Sequence, residues 1–221
     1  MEYNAEHLTP KQRHLVTISA LTATSNVAKL KVALADGLEA GLTINEINEE
    51  LAHLYAYCGF AASVRGTNLF REVVQERRAQ GIQDSQGRAA TPITDTASKY
   101  ARGEQNQVVV TGMNPQQLTA AFPFNPVLDG FLKEHLFADI FGSDVLSFQE
   151  RELVTVAALT SMQEPLALPH YHGALNVGVS EAQLRELLVV AEGAVGAQAA
   201  TTGRQLLETV LAARQAAAPA S

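Results

Sequence analysis

An internal repeat constrains the fold of this chain more than any other feature of its sequence. Two segments lie 138 residues apart and are identical at eight of sixteen positions: 8–23 reads LTPKQRHLVTISALTA and 146–161 reads LSFQERELVTVAALTS. After a gap of one residue, the similarity continues at an offset of 137 between residues 38–49 and 175–186. Internal self-similarity is the signature of a structural unit that packs against its own copy. The sequence therefore predicts two tandem copies of one fold unit.

The repeat divides the chain into three parts. We assign residues 1–80 to a first copy, 81–127 to a connector and 128–217 to a second copy. The connector begins with a polar stretch rich in Gly, Gln, Thr and Asp. A chain of 221 residues is long enough for one large domain or two small ones, and two copies fit that length.

Helix signals recur at matching positions of the two copies. A Ser or Thr followed three residues later by Glu or Gln is a capping box, which marks the start of a helix. Such boxes begin at Thr9, Thr43, Ser147 and Ser180. Gly41 and Gly178 stand where a helix should end, and the apolar spacing after each cap is helical, not alternating. We expect an all-α fold with about three helices in each copy and one or two in the connector.

Composition and charge exclude several classes of protein. The chain carries 16 Lys and Arg against 23 Asp and Glu, so the basic surface of a nucleic-acid-binding protein is not expected. The longest nearly apolar stretch, 187–200, contains Glu192 and is too short to span a bilayer. The N-terminus is polar, and the single cysteine, Cys58, allows no intrachain disulfide. We expect a cytoplasmic protein with no nucleic-acid partner and no membrane partner.

Glu152 is the first candidate for chemistry. It lies on the apolar face of a predicted helix, with apolar residues at positions i−4, i+4 and i+7. A carboxylate in such surroundings is costly unless it is paired or protonated, which suits a general acid or base. The alternative is a structural ion pair with an arginine such as Arg151 or Arg185.

Three other side chains are of types that can bind a metal ion or take part in redox chemistry. His170 and His172 have the spacing of two metal ligands on a strand, but the segment reads as a helix. On a helix, positions i and i+2 point about 200° apart, so at most one imidazole faces a given pocket. We therefore expect no metal site. Cys58 is a candidate redox thiol, although a single buried thiol is more often a small packing residue.

Three stretches of the sequence carry a resemblance to a known family. They are 151–159 (RELVTVAAL), 170–181 (HYHGALNVGVSE) and the pair 55–60 with 131–137 (YAYCGF, FLKEHLF). These stretches are similar to the carboxymuconolactone decarboxylase family, within the alkylhydroperoxidase-D-like superfamily, and to its subgroup with two copies in one chain. The resemblance implies an all-α fold of two alkylhydroperoxidase-D-like helical units. It also implies a ring-shaped homo-oligomer, which for a two-copy chain is a trimer.

The resemblance also implies where the site lies. The superfamily pairs a glutamate on the opening helix with a histidine eight residues before the stop glycine, which gives Glu152 and His170 in the second copy. The matching residues of the first copy are His14 and Ala33, so that site is degenerate and one site per chain is expected. His170 is then the proton donor and Glu152 its orienting partner. Three side chains are candidates for holding the carboxylate of a substrate: Arg151, Lys133 and His172.

The name of the family implies cofactor-free acid–base chemistry, a decarboxylation of a small carboxylated lactone or related acid. The peroxide-reducing branch of the superfamily has a CxxC motif just before the histidine, and residues 164–168 contain no cysteine. That departure disfavours a thiol peroxidase. Two alternatives stay open: an alkylhydroperoxidase-like antioxidant protein of the peroxiredoxin type, and a helical oligomer that binds a ligand without turning it over.

Overall fold

A computed structural model describes residues 7–121 and 124–217, and all regular secondary structure in these ranges is helical. The first copy forms α1 (Pro10–Ala23), α2 (Val27–Glu39) and α3 (Ile44–Ala79). Next come α4 (Lys99–Thr111), α5 (Pro115–Ala121), α6 (Pro126–Gly130) and a π-helix (Phe131–Ile140). The chain then forms α7 (Phe148–Ser161), α8 (Ala167–Asn176), α9 (Glu181–Val195) and α10 (Ala197–Ala217). The prediction of an all-α fold is confirmed.

The predicted helix boundaries are formed by the expected local chemistry. At each of the four capping boxes, the cap hydroxyl accepts a hydrogen bond from the amide three residues later, and the Glu or Gln at that position accepts from the amide of the cap. Gly41 and Gly178 follow α2 and α8 with φ of +92° and +93°. Residues with a side chain rarely adopt this left-handed conformation, so glycine at these positions ends the helices.

The second copy forms more helices than predicted, in part because of a second glycine break that both copies contain. Gly59 interrupts α3 with φ +80° and ψ 162°, and α3 continues beyond it as one kinked helix. Its counterpart at the offset of 137 is Gly196, with φ +104° and ψ 168°. In the second copy the same break separates α9 from α10. The repeat therefore extends further than the sequence match indicated, into the segment that follows each break.

The two copies pack against each other with reciprocal contacts. The equivalent helices α1 and α7 lie side by side, α1 also contacts α9, and α7 contacts α3. Two equivalent ion pairs cross this interface: Arg13 with Glu186, and Arg151 with Glu49. Exchange of equivalent partners is the property of a two-fold axis. Each copy therefore places its third helical segment against the first helix of the other copy.

The connector and the π-helix close one side of the second copy. Helix α4 packs against the π-helix so tightly that a methyl group added at Gly103 would lie 1.7 Å from the carbonyl oxygen of Lys133. A cluster of buried side chains joins the two elements, formed by Val110, Leu136, Phe137 and Phe141. Tyr57 and Phe148 pack against this cluster from α3 and α7. Among the helices described, none is long and apolar enough to cross a membrane.

Candidate active site

Glu152 and His170 face each other across the adjacent helices α7 and α8. The Nδ1 atom of His170 lies 3.1 Å from Oε2 of Glu152. The Glu152 side chain is fully buried, whereas the His170 side chain is 20% exposed. The second carboxylate oxygen, Oε1, has no hydrogen-bond partner among the residues that the structure describes. The pair is therefore a buried carboxylate that orients an imidazole at the edge of solvent.

The arginine partners considered for Glu152 are bound elsewhere. Arg151 donates to Glu49 of the first copy, and Arg185 pairs with Glu181 and Glu208. Neither arginine therefore forms the structural ion pair with Glu152 that the sequence left open. Histidine is the partner of this carboxylate instead.

A glycine on α8 lets this helix approach the carboxylate. Gly173 follows His170 by about one turn, and a methyl group added there would lie 3.0 Å from Oε2 of Glu152 and 3.2 Å from Val110. A contact of 3.0 Å is closer than side-chain carbons normally reach. The absence of a side chain at Gly173 therefore sets how closely α8 and α7 pack around Glu152.

Tyr57 reaches the pair from α3, in the first copy of the repeat. Its ring lies edge-on to that of His170, with centroids 5.2 Å apart and an interplanar angle of 85°. The ring is partly exposed, but the hydroxyl oxygen is buried and has no hydrogen-bond partner within the described part of the chain. Burial and the nearby charge of Glu152 raise the pKa of Tyr57. The phenol thus stays protonated, and its hydroxyl lies near Thr155, which partly opposes the rise of its pKa.

His53, one turn before Tyr57 on α3, is completely buried. Its Nε2 lies 2.8 Å from the Thr155 hydroxyl, and its Nδ1 lies 3.4 Å from a guanidinium nitrogen of Arg151. Arginine can only donate, so Nδ1 is the acceptor and Nε2 carries the proton. Burial lowers the pKa of His53 well below its ordinary value, and the charges of Arg151 and His170 act in the same direction. His53 is therefore neutral at pH 7.

Aromatic rings lie on the side of His53 that faces the connector. The ring of Phe141 lies 5.3 Å from that of His53, and Phe148 lies 5.7 Å from Phe141. A cavity of about 450 Å³ between the connector and α7 shares these two phenylalanines, but its lining includes neither Glu152 nor His170. Because Glu152 is fully buried, a small molecule would reach the pair from the exposed side of His170.

The candidate cations for a substrate carboxylate already have partners inside the protein. Arg151 is fully buried and donates to the Ser143 carbonyl as well as to Glu49. The buried ammonium of Lys133 contacts Asp129 and the Tyr100 hydroxyl, 2.9 and 2.8 Å away. The residues that contact Lys133 lie on α6 and α4. The role of either cation toward a substrate stays a prediction.

The remaining candidates, His172 and Cys58, have other neighbours. Burial lowers the pKa of His172 on α8, and the charge of Arg214 on α10 acts in the same direction. The thiol of Cys58 donates to the Leu54 carbonyl at 3.1 Å, and burial raises its pKa to about 11. A thiol with such a pKa is protonated at neutral pH and is a weak nucleophile. In the ranges 7–121 and 124–217, no three His, Cys, Asp or Glu side chains gather closely enough to hold a metal ion.

Two residues of the site, His53 and Tyr57, were not identified from the sequence. Tyr57 lies within the stretch 55–60 that carries part of the family resemblance, but no feature of that stretch indicates contact with α8. The contact depends on how α3 of one copy packs on α7 of the other. A search for polar residues one helical turn apart, such as these two, would have drawn attention to this face of α3.

Comparison with known proteins agrees with this architecture. The model of the family described as the carboxymuconolactone decarboxylase family matches two segments, residues 1–72 and 126–209. A crystal structure from Burkholderia xenovorans LB400, described as that of a candidate gamma-carboxymuconolactone decarboxylase subunit, has a similar fold with a TM-score of 0.56. That similarity covers 94% of this chain and 80% of the other at 21% sequence identity. No curated protein matches the sequence.

Proposed function

Because this chain belongs to the carboxymuconolactone decarboxylase family, we propose that it catalyses the cofactor-free decarboxylation of a small carboxylated lactone or a related acid. The observation that carries this proposal is the 3.1 Å contact between His170 Nδ1 and the fully buried Glu152 carboxylate. A histidine oriented by a buried carboxylate is an arrangement suited to transferring a proton at a fixed position.

The proposed reaction has two steps that balance without an external oxidant or reductant. First, the bond between the ring carbon and the carboxylate breaks, and CO₂ leaves. The electron pair of that bond moves through the unsaturated ring to the lactone carbonyl oxygen, which forms a dienolate. Second, a proton is added to a ring carbon, and the carbonyl is restored. The histidine that gave the proton takes another from water.

In this proposal His170 donates the proton. With Nδ1 held by Glu152, Nε2 is the nitrogen that remains for the substrate. The Glu152 carboxylate fixes the orientation of the ring and stabilises the imidazolium form that carries the second proton. An acid held in position in this way typically contributes a factor of about 10² to 10⁴ in rate.

The surroundings of the Glu152–His170 pair suit the first step, the loss of CO₂. A carboxylate loses CO₂ more readily when it is stripped of water and not bound to a cation, because its charge leaves the carboxyl group in the transition state. Aromatic rings provide such surroundings: the ring of Tyr57 lies 5.2 Å from that of His170, and Tyr57 packs against the same apolar cluster as Phe148. The hydroxyl of Tyr57 is the group that we propose donates a hydrogen bond to the dienolate oxygen.

A panel of unsaturated lactones that carry a carboxyl group would test this function by release of CO₂. We expect turnover of at least one member, and a decrease in kcat of about 10²-fold or more in His170→Ala. His135→Ala is the matched control, since the side chain of His135 is about half exposed and contacts Asp139 on the π-helix. No CO₂ release from any member, or full activity in His170→Ala, would rule the proposal out.

A further inference from the structure

The first copy contains a cavity of about 540 Å³ that the proposed reaction does not use. Side chains of α1, α2 and α9 line it, and most of the lining is apolar. The apolar part of the wall is formed by Leu21, Ala28, Val32, Ala33, Val190 and Ala194. Cavities of several hundred Å³ with mainly apolar walls and a few polar groups are typical sites for small molecules.

This cavity occupies the position in the first copy that the acid–base site occupies in the second. The offsets of 138 for α1 and 137 for the later helices relate the two sets of residues. Each side chain of the site has a counterpart in the cavity wall. Glu152 corresponds to His14, and His170 corresponds to Ala33. His53 corresponds to Val190, and Tyr57 corresponds to Ala194.

The differences in side-chain size explain why a cavity exists here. Alanine replaces histidine at one position and tyrosine at another, and valine replaces the second histidine. The space that the rings of His170, His53 and Tyr57 fill in the second copy is therefore open in the first. The cavity is open to solvent, since Lys29 and Val32 in its wall are exposed, so a small molecule can enter it.

The cavity wall contains a cation that the corresponding position of the second copy lacks. Lys29 lines the cavity, and its counterpart at the offset of 137 is Leu166. The Lys29 ammonium donates to the carbonyl oxygen of Ala194 at 2.9 Å, which holds it against the wall of the cavity. An ammonium has three donors, so two remain for the oxygens of an anionic ligand.

The other titratable groups of the wall define the orientation of such a ligand. Asp36 follows Lys29 by seven residues on α2, which places it about two turns, or roughly 10 Å, along the helix. Burial lowers the pKa of His14, partly opposed by the charge of Asp36, so this imidazole is neutral at pH 7. An anionic group is therefore attracted to the Lys29 end and repelled from the Asp36 end.

We propose that the first copy holds a second, non-catalytic binding site for a small carboxylic acid with an apolar body about the size of one ring. The carboxylate binds the Lys29 ammonium, and the apolar body lies against Val32, Ala33 and Val190. This site does not depend on the reaction proposed for the second copy, because it shares no residue with the His170–Glu152 pair.

Fluorine NMR with 4-fluorobenzoate as the probe tests the site. We expect saturable binding to the wild-type chain, and at least tenfold weaker binding in Lys29→Met. The double variant Ala33→His with Ala194→Tyr restores the side chains that the second copy carries and should abolish binding by filling the cavity. Val32→Trp fills it from an exposed position and keeps the test valid if the double variant does not fold.

Two controls identify which site and which charge bind the probe. His170→Ala should leave the affinity for 4-fluorobenzoate unchanged, since that residue lies in the other copy. The cationic probe 4-fluorobenzylamine should bind at least tenfold more weakly than the acid. Absence of saturable binding, unchanged binding after the cavity is filled, or tighter binding of the amine would each overturn the proposal. Loss of binding in His170→Ala would also overturn it, because the probe would then occupy the second copy.

Discussion

Tyr57 lies edge-on to His170 with ring centroids 5.2 Å apart, although the two residues come from different copies of the repeat. His53, from the same helix as Tyr57, hydrogen-bonds to Thr155 of the second copy. The first copy, which has His14 and Ala33 in place of the acid–base pair, therefore contributes side chains to the site of the second copy. Both copies are needed to build one site.

Removal of the Tyr57 hydroxyl should lower activity without lowering stability. In the proposed reaction this hydroxyl donates to the dienolate, and loss of one such donor typically reduces kcat by about 10² to 10³-fold. We expect Tyr57→Phe to show a decrease of this kind. Because no described residue meets this buried hydroxyl at full hydrogen-bond geometry, although Thr155 lies near it, its removal should change the thermal unfolding temperature little. Tyr55→Phe is the control, and equal activity of the two variants would contradict the assignment.

The charge of Glu152 should matter more than its shape. Glu152→Gln keeps the size of the side chain and can still accept a hydrogen bond from His170, but it cannot stabilise the imidazolium. We expect kcat to fall by about 10²-fold, with little change in the circular dichroism spectrum. Glu208→Gln, which changes an exposed carboxylate, is the matched control. An active Glu152→Gln enzyme would show that the carboxylate has only a structural role.

Glu50 should make stability depend on pH. This carboxyl group is fully buried, accepts one hydrogen bond from Ser19, and burial raises its pKa well above the ordinary value of 4.5. The folded state therefore binds the proton more tightly than the unfolded state. The stabilising contribution is complete below about pH 4.5 and is lost as the pH rises through the pKa of the folded protein.

Urea unfolding of the wild-type chain and of Glu50→Gln between pH 4 and pH 8 measures this contribution. We expect the variant to gain stability relative to the wild type as the pH rises, reaching about 1–3 kcal/mol at neutral pH. Glu72→Gln, at an exposed position, should show no such trend. A difference between wild type and Glu50→Gln that does not change with pH would exclude a raised pKa at this residue.

The kink at Gly59 should make glycine important for stability at this position. Its φ of +80° with ψ 162° lies in a region that is essentially restricted to glycine. We expect Gly59→Ala to lower the free energy of unfolding by about 1–3 kcal/mol, measured by urea unfolding. Gly130→Ala is the control: its backbone is helical and nothing lies within 4 Å of an added methyl group, so it should be neutral or stabilising. Destabilisation by both variants to the same extent would argue against strain at the kink.

We propose that the chain assembles into a trimer, as the family resemblance implied. The side chains of Phe60, Phe131 and Leu166 are 70%, 65% and 65% exposed in the single chain, and exposed apolar side chains are typical of surfaces that associate. Light scattering at micromolar concentration should give three times the mass of one chain. Phe60→Asp with Phe131→Asp should reduce that mass, whereas Arg71→Asp, at an exposed position, should not. A monomeric wild-type chain would exclude the trimer.

The sequence alone predicted the all-α fold, four helix starts and two helix ends, and its family resemblance pointed to one pair of candidate site residues. The four capping boxes and the stops at Gly41 and Gly178 form as predicted, because a cap depends on residues within one turn of each other. The pairing of Glu152 with His170 was implied by the family resemblance, and the two side chains lie 18 residues apart on adjacent helices. Both kinds of prediction rest on contacts between residues that are close along the chain.

Only the tertiary structure decided which side chains surround that pair. Tyr57 and His53 lie about 100 residues before their partners, and they meet them because α3 of one copy packs on α7 of the other. The cavity of the first copy likewise depends on α9 lying against α1. Such contacts are set by helix packing, where the fit of whole surfaces decides the arrangement. No local signal in the sequence records which helix of the second copy will cover which helix of the first.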